Sequence, residues 1–279
     1  MTPKRVIISA DDFGLSEGVN AAVEQAFRSG LLTTASLMVA GPAAADAVRR
    51  ARQLPGLRIG LHLVVIEGPA TCPAPGLTDA HGQFPSGQLR LGIDYFFRQD
   101  VRRRLAAEIQ AQFAAFAATG LRLDHANAHK HMHLHPTVGR LMLKIGAEFG
   151  LPAIRVPAEP PPTMLACGTA QSFGDRLLYA GTRVLRAQAR RAGVRTNDYA
   201  FGIAWSGHMT ADRLLALIPR LPPGLSEVYF HPGTHKDAVL TRLMPSYEHA
   251  AELACLCDPA VRQALAAARM TLTGYDGAG

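Results

Sequence analysis

The sequence repeats one pattern along its length: a short apolar run typical of a buried strand, followed by an amphipathic stretch typical of a helix. Eight runs are predicted as strands, at residues 6–10, 34–39, 58–65, 121–128, 153–156, 199–203, 227–230 and 270–273. Strands that alternate with helices form parallel sheets, and eight of them favour a (β/α) TIM-like barrel over an open sheet. We therefore expect an α/β fold whose active site lies at the C-terminal ends of the strands.

The length of 279 residues suits one domain over 1–279, because such barrels commonly use about 250 residues. Residues 67–97 begin with a Pro/Gly-rich stretch and are predicted as a long loop excursion.

The longest uncharged stretch, 29–45, is shorter than the about 20 apolar residues that span a bilayer. The apolar run near Met1 is also too short for a signal-peptide core. The four cysteines form no CxxC pair, which favours a reducing, cytoplasmic location.

The chain is basic, with 29 Lys and Arg against 22 Asp and Glu and a net charge of +7. Basic surfaces bind nucleic acids and anionic membranes alike. Arginines concentrate at 98–104 and 176–195, and only the second stretch has a broad apolar face beside its basic face. Neither stretch interleaves aromatic residues as a nucleic-acid platform would. We expect no nucleic-acid partner; two solvated helix faces are the plain interpretation, and peripheral contact with an anionic membrane is the alternative.

Two adjacent acids, Asp11 and Asp12, follow the first strand directly. Neighbouring residues at a strand end point in different directions, so one carboxylate can bind a cation while the other acts as a base on bound water. The alternative is that Asp12 or Ser16 only caps the next helix. His62, near the loop-side end of the third strand, is either a hydrogen-bonded core residue or a ligand.

Five histidines occur within residues 125–135, namely His125, His129, His131, His133 and His135. For as long as the strand continues, alternation places on one side His125, Asn127, His129, His131 and His133, and we expect the strand to break near His129. A catalytic metal takes about three protein ligands and keeps an open position, so the five cannot all bind one ion. We predict a metal or catalytic role for at least one. A metal-storage tract is the alternative, but such tracts usually lie at disordered ends, whereas this one precedes a helix.

Two further residues lie at predicted strand ends. His231 follows the seventh strand, where it is either a general acid facing Asp11 or a residue of a tight His-Pro-Gly turn. Arg155 lies at the end of the fifth strand, where it either clamps an oxyanion or substrate hydroxyl or belongs to a surface loop. The strand ends that converge in such a barrel thus carry five candidate residues, namely Asp11, Asp12, His62, His129 and His231. An Asp/His/His set with an open position is typical of a hydrolytic metal centre.

The segments 10–16, 60–63, 127–136 and 230–233 resemble the motifs of the YdjC-like carbohydrate deacetylases, in order and over almost the whole chain. Segment 37–43 and the Asn-Ala-His-Lys-His wording from Asn127 resemble the bacterial branch associated with hopanoid biosynthesis. The resemblance implies a (β/α) barrel that removes N-acetyl groups from amino sugars with one divalent metal ion. Zinc, magnesium and manganese all suit two imidazoles and one carboxylate.

Transferred motif by motif, the resemblance makes Asp12, His62 and His129 the metal ligands, Asp11 the base and His231 the acid. The family commonly has Asp-Ser-His where this chain has Asn127, Ala128 and His129, so an amide replaces a carboxylate that would support the ligand histidine. This departure leaves His131 and His133 open as alternative ligands or, with Arg155 and Asn127, as supporting or substrate-binding residues.

The implied substrate is a hopanoid lipid that carries N-acetylglucosamine and leaves the reaction with a free amine. A soluble chito-oligosaccharide deacetylase is the first alternative, although one tryptophan and 6% aromatic residues offer few sugar platforms. A non-catalytic metal-binding protein is the second alternative, which would not need Asp11 and His231 beside the ion. The sequence leaves homodimerisation open.

Overall fold

The computed structural model describes residues 4–170 and 172–277 and contains nine strands and eleven α-helices there. The strands are β1 Lys4–Phe13, β2 Thr34–Leu37, β3 Arg58–Leu63, β4 Leu123–Ala128, β5 Ala153–Ile154, β6 Arg195–Thr196, β7 Tyr199–Phe201, β8 Gly224–Phe230 and β9 Thr271–Leu272. The helices are α1 Glu17–Arg28, α2 Ala44–Arg52, α3 Gln88–Phe97, α4 Gln99–Ala118, α5 Pro136–Glu148, α6 Pro161–Ala166, α7 Phe173–Arg191, α8 Ala211–Leu217, α9 Ala238–Leu243, α10 His249–Leu256 and α11 Pro259–Ala267. Short 3₁₀ segments cover His129–Leu134 and Ile218–Arg220.

The strands form one parallel sheet in the order β6-β5-β4-β3-β2-β1-β8-β7. This barrel-like arrangement confirms the predicted α/β class. Among the described residues, no ladder joins the two end strands β6 and β7. Instead, Ala200 N donates to Ala158 O at 3.0 Å, and the Asn197 side chain bonds both backbone polar groups of Val156. The sheet therefore curls toward closure through single hydrogen bonds beyond β5.

Two strands differ from the sequence-based expectation. The run at 270–273 contributes only β9, which pairs with Arg5 and Val6 of β1. β1 instead pairs directly with β8, from Lys4 to Ala10. Because β2 joins β1 only from Ser9 onward, the first half of β1 has a free edge there, and β9 occupies it. The two-residue strand β6 was not predicted, since it contains no apolar run.

The excursion predicted at 67–97 divides into two parts. Residues 64–87 contain only isolated bridges, and α3 follows them. Two buried side chains of α4 bind the irregular backbone: Glu108 accepts from the Thr71 and Cys72 amides, and Gln112 accepts from the Val64 amide. These bonds satisfy backbone groups that a ladder would otherwise have to pair. Within the two described ranges, no helix is long and apolar enough to cross a membrane.

Candidate functional site

The carboxyl end of β1 presents its two acids to different neighbours. Asp12 has a left-handed backbone, with φ of 63°, where the register between β1 and β2 shifts between Ala10 and Phe13. A non-glycine residue in this region costs about 1–3 kcal/mol and is retained mainly where function requires it. The twist directs Asp12 toward His62 and His129, whereas Asp11 faces Arg155.

The three predicted metal ligands form a buried cluster. Potential ligand atoms of Asp12, His62 and His129 all lie within 4.8 Å of one another. Oδ1 of Asp12 is 3.3 Å from Nε2 of His62 and 3.3 Å from Nδ1 of His129. A tetrahedral ion with bonds of about 2.1 Å would separate its ligand atoms by about 3.4 Å. The spacing therefore fits a divalent metal ion.

The state of Asp12 also fits a cation. Both its carboxylate oxygens are buried, and neither has a well-formed hydrogen bond within the part of the chain that the structure describes. Burial alone would raise the pKa of Asp12, but the close contacts of its carboxylate with the His129 and His62 rings outweigh burial and hold the pKa well below its usual range. The site thus offers a charged, unsatisfied carboxylate to an ion.

Asn127 orients two members of the site at once. Its Oδ1 accepts from Nδ1 of His62 at 2.7 Å, which leaves Nε2 of that ring free for the cluster. Its Nδ2 donates to Asp11 Oδ1 and to Ser36 Oγ, each at 3.0 Å. An ionised carboxylate at this position could accept from His62 but could not donate to Asp11. The amide therefore supports His62 and Asp11, and not His129, the ligand histidine whose support was in doubt from the sequence.

Removing this amide is expected to weaken metal binding. Asn127→Ala should lower metal affinity about 10–100-fold, because the His62 ring loses the acceptor that fixes its orientation. Asn127→Asp should retain most of the affinity, since an acceptor remains. Competition with a chromogenic chelator measures both variants. Equal affinities for the wild-type protein and the Asn127→Ala variant would contradict this positioning role.

Arg155 lies behind Asp11 and has no exposed surface. Its guanidinium donates to both Asp11 oxygens, at 2.6 and 2.9 Å, and to Glu227 Oε1 at 2.7 Å. Burial alone would raise the pKa of Asp11, but the Arg155 charge outweighs it and holds the pKa far below the usual range. Arg155 is thus placed to hold Asp11 as an oriented carboxylate, rather than in the surface loop or substrate contact considered from the sequence.

The remaining histidines of the run diverge after His129. Lys130 and His131 both have left-handed backbones, with φ of 50° and 53°, which end the strand alternation. His131 Nε2 lies 3.0 Å from the Tyr229 hydroxyl, and burial together with the Arg155 charge lowers the pKa of His131 to about 3. His133 Nε2 donates to the Arg155 carbonyl at 3.1 Å. The structure therefore brings His129 into the cluster and leaves His131 and His133 outside it.

His231 follows β8 and faces the same cavity as the cluster. The cavity measures about 260 Å³, and Asp11, His62, His129 and His231 contribute to its lining. The buried Nδ1 of His231 has no hydrogen-bond partner among the described residues. Burial lowers the pKa of His231, while Asp12 and Asp11 oppose that shift and favour the protonated ring. The candidate base and candidate acid therefore border one space beside the ligand cluster.

Three site residues were not predicted. Glu227 and Tyr229 precede His231 at two-residue spacing on β8, so strand alternation from His231 could have identified them. Tyr247 reaches the cavity from the loop between α9 and α10, and its ring centroid lies 5.1 Å from that of His231. Nothing local in the sequence indicates that contact.

Two solved structures share the fold. One, described as a putative cellobiose-phosphate cleavage protein from Enterococcus faecalis V583, has a TM-score of 0.78 and 22% identity and covers 99% of this chain and 98% of that chain. The other, a lactam utilization protein from Thermus thermophilus, has a TM-score of 0.52 and 17% identity, with coverage of 96% and 98%. At these identities the likeness concerns the fold alone.

Sequence relatives are more specific. A carbohydrate deacetylase of Geobacillus stearothermophilus is 30% identical over 275 residues, 98% of this chain and 97% of that protein. A carbohydrate deacetylase of Brevibacillus brevis is 38% identical over 154 residues, 55% of this chain and 59% of that protein. A chitooligosaccharide deacetylase of Enterobacter sp. strain 638 is 36% identical over 156 residues, with coverage of 55% and 59%. These last two alignments span little more than half of the relatives' lengths.

The family model described as YdjC-like protein matches residues 5–267. That range contains every strand apart from β9 and the first residue of β1, Lys4. It also contains the ligand cluster, Asp11 and His231. The chain belongs to the YdjC-like protein family.

Proposed function

We propose that this chain is a metal-dependent carbohydrate deacetylase that hydrolyses the N-acetyl group of an amino sugar. The observation that carries the proposal is the buried Asp12, His62 and His129 cluster, which adjoins a cavity shared by Asp11 and His231. The names of the relatives, carbohydrate deacetylase and chitooligosaccharide deacetylase, support the same reaction class.

Asp12, His62 and His129 would hold one divalent ion. When bound, such an ion polarises a carbonyl oxygen and lowers the pKa of a coordinated water. Two imidazoles and one carboxylate leave zinc, magnesium and manganese as candidates. Asn127 fixes the His62 ring through the 2.7 Å hydrogen bond to Nδ1, which leaves Nε2 available to hold an ion.

Asp11 and His231 carry the proton transfers in this proposal. The Asp11 carboxylate, fixed by Arg155 and Asn127, accepts a proton as water attacks the acetamide carbonyl. His231 donates a proton to the nitrogen as the C–N bond breaks, so that acetate and a free amine leave. Both groups line the cavity, so an acetamide bound there would lie between them.

The substrate we favour is a membrane glycolipid, an N-acetylglucosaminyl hopanoid, because of the motif wording at 37–43 and around His129. A soluble chito-oligosaccharide is the second candidate, favoured by the relatives with that name. A chito-oligosaccharide deacetylase is expected to offer aromatic side chains on which sugars stack, and this chain has few. Trp205 is only 5% exposed, and its indole nitrogen donates to Thr169, so this tryptophan does not offer its face to a sugar.

Acetate release from both substrates in parallel tests the proposal. Metal-reconstituted protein should release acetate from detergent-dispersed N-acetylglucosaminyl hopanoid, and a chelator or Asp11→Ala should abolish it. Release from chito-oligosaccharides alone would keep the reaction and overturn the glycolipid. Release from neither substrate would contradict the deacetylase proposal. A protein whose metal-dependent function is unchanged by Asp11→Ala would instead be a non-catalytic metal-binding protein.

A further inference from the structure

Large apolar side chains lie exposed on two helices near the cavity. On α3, Leu89 is 80% and Phe97 is 73% exposed; on α7, Phe173 is 84% and Leu177 is 66% exposed. We name this surface the apolar rim and define it by Leu89, Ile93, Phe96, Phe97, Phe173 and Leu177. The opposite face of α3 is also apolar and is buried. A helix that is apolar on both faces is typically covered on both, so the rim indicates a missing partner.

The rim adjoins the candidate active site. α3 follows β3 through the excursion, and the Phe96 ring centroid lies 6.1 Å from that of His135, which directly follows the 3₁₀ segment carrying His129. α7 packs against the same 3₁₀ segment. Leu178 and Tyr179 of α7 share a small pocket with Ile203, which also lines the catalytic cavity. Both helices therefore lie at the end of the sheet where the cavity opens.

Unpaired positive charge accompanies the rim. α7 contains five arginines and a single acid, Asp175. Arg176 and Arg183 are exposed, directly adjoin Leu177 and Val184 in sequence, and form no ion pair within residues 4–170 and 172–277. Arg186, in contrast, faces the protein and donates to the Asn197 and Asp198 carbonyls. The outer face of α7 thus combines exposed apolar side chains with free guanidinium groups.

This combination selects one kind of partner. A second copy of the chain docked symmetrically through α7 would bring arginines against arginines, which is unfavourable. An anionic lipid surface accepts the apolar side chains at the boundary between headgroups and acyl chains, and its phosphates pair with the arginines. We propose that the apolar rim docks on an anionic lipid bilayer with the cavity opening toward it. This inference rests on the proposed function, because it supplies a membrane-anchored glycolipid to that site.

Vesicle co-sedimentation tests the docking surface without needing activity. The wild-type protein should bind vesicles of mixed phosphatidylcholine and phosphatidylglycerol, and bind vesicles of phosphatidylcholine alone more weakly. Arg176→Gln with Arg183→Gln should lower partitioning to the anionic vesicles by about 30-fold. Phe173→Ser with Leu177→Ser, and separately Leu89→Ser with Phe97→Ser, should each lower it by about tenfold or more.

The matched control replaces two other exposed arginines at the opposite end of the sheet. Arg122→Gln with Arg195→Gln removes the same charge near the amino ends of β4 and β6 and should leave partitioning within about twofold of wild type, because these side chains do not face the bilayer. Circular dichroism melting verifies that each variant is folded. Two independent rim variants keep the test decisive if one of them unfolds.

The outcomes separate the docking surface from the proposed function. The docking proposal would be overturned if the wild-type protein did not bind anionic vesicles. It would also be overturned if the rim variants bound these vesicles as well as the control variant with both Arg122 and Arg195 replaced. Loss of a dimer in the rim variants by analytical ultracentrifugation, without vesicle binding, would assign the rim to a second copy instead. Acetate release from a soluble N-acetyl amino sugar reports on the proposed function separately and should be unchanged in the rim variants.

Discussion

Replacing Asp11 by Asn is expected to lower kcat for acetate release by about 10²–10⁴-fold while one metal ion per chain still binds. The side chain keeps its shape and loses the ability to accept a proton as a carboxylate. Asp12, His62 and His129 keep their mutual spacing, so metal content should not change. Acetate release under saturating substrate, together with elemental analysis of the purified variant, measures both quantities.

A neighbour of Asp11 supplies the control for this substitution. Glu227→Gln removes a carboxylate from the same guanidinium, since Glu227 accepts from Arg155 at 2.7 Å. Glu227 is fully buried beneath the site, so kcat should stay within about tenfold of wild type. Loss of metal from the Asp11→Asn variant in proportion to its lost activity would contradict the role of Asp11 as base.

Replacing Arg155 by Met is expected to destabilise the fold by about 3–5 kcal/mol, because it leaves two buried carboxylates without their shared cation. Asp11 and Glu227 both pair with this guanidinium, and the side chains of Arg155, Asp11 and Glu227 are 0%, 3% and 0% exposed. Urea unfolding followed by circular dichroism measures the loss. Adding Glu227→Gln to the Arg155→Met variant should recover part of it, since one of the two unpaired charges is removed.

A partly exposed arginine with the same number of acidic partners is the control. Arg50 pairs with Glu24 and Asp46, and these side chains are 16–23% exposed. Arg50→Met should destabilise the fold by only about 1 kcal/mol, because solvent reaches these partly exposed ion pairs and weakens them. If Arg155→Met and Arg50→Met lowered the free energy of unfolding by similar amounts, the ion pairs of Arg155 would not be behaving as buried ion pairs.

The fold class was accessible from the sequence because its evidence is local. The apolar run that begins β1 and the helix start after Ser16, whose hydroxyl accepts from the Val19 amide, follow from periodicity and capping alone. Pairing partners are not local. β9 occupies the free edge of β1 only because β2 pairs with β1 from Ser9 onward. No pattern within residues 270–273 indicates this pairing.

The helix α3 was missed for a different reason. It directly follows the Pro/Gly-rich stretch and includes Gly92, and its second apolar face departs from the one-sided pattern of a helix packed against a core. The same feature leaves Leu89 and Phe97 exposed in the structure. The failure of the periodicity argument thus coincides with the surface proposed for membrane contact.

The sequence indicated which residues form the buried cluster but not the hydrogen bonds that support it. Strand ends brought Asp12, His62 and His129 together as expected. Distinguishing His129 from His131 depends on the left-handed backbones at Lys130 and His131, which are uncommon for residues other than glycine. The position of Arg155 beneath Asp11 joins residues that are 144 positions apart, and neither local sequence predicts the other.

The most direct test of the metal-dependent reaction is to strip the protein with a chelator and follow acetate release as a divalent metal is titrated back. Activity should be absent at first and should rise until one ion per chain has bound. Asp12→Asn should prevent this recovery, and Asn suits the test because it also tolerates a left-handed backbone. Full acetate release by the metal-free protein, or normal recovery in the Asp12→Asn variant at one ion per chain, would contradict a metal site built on Asp12.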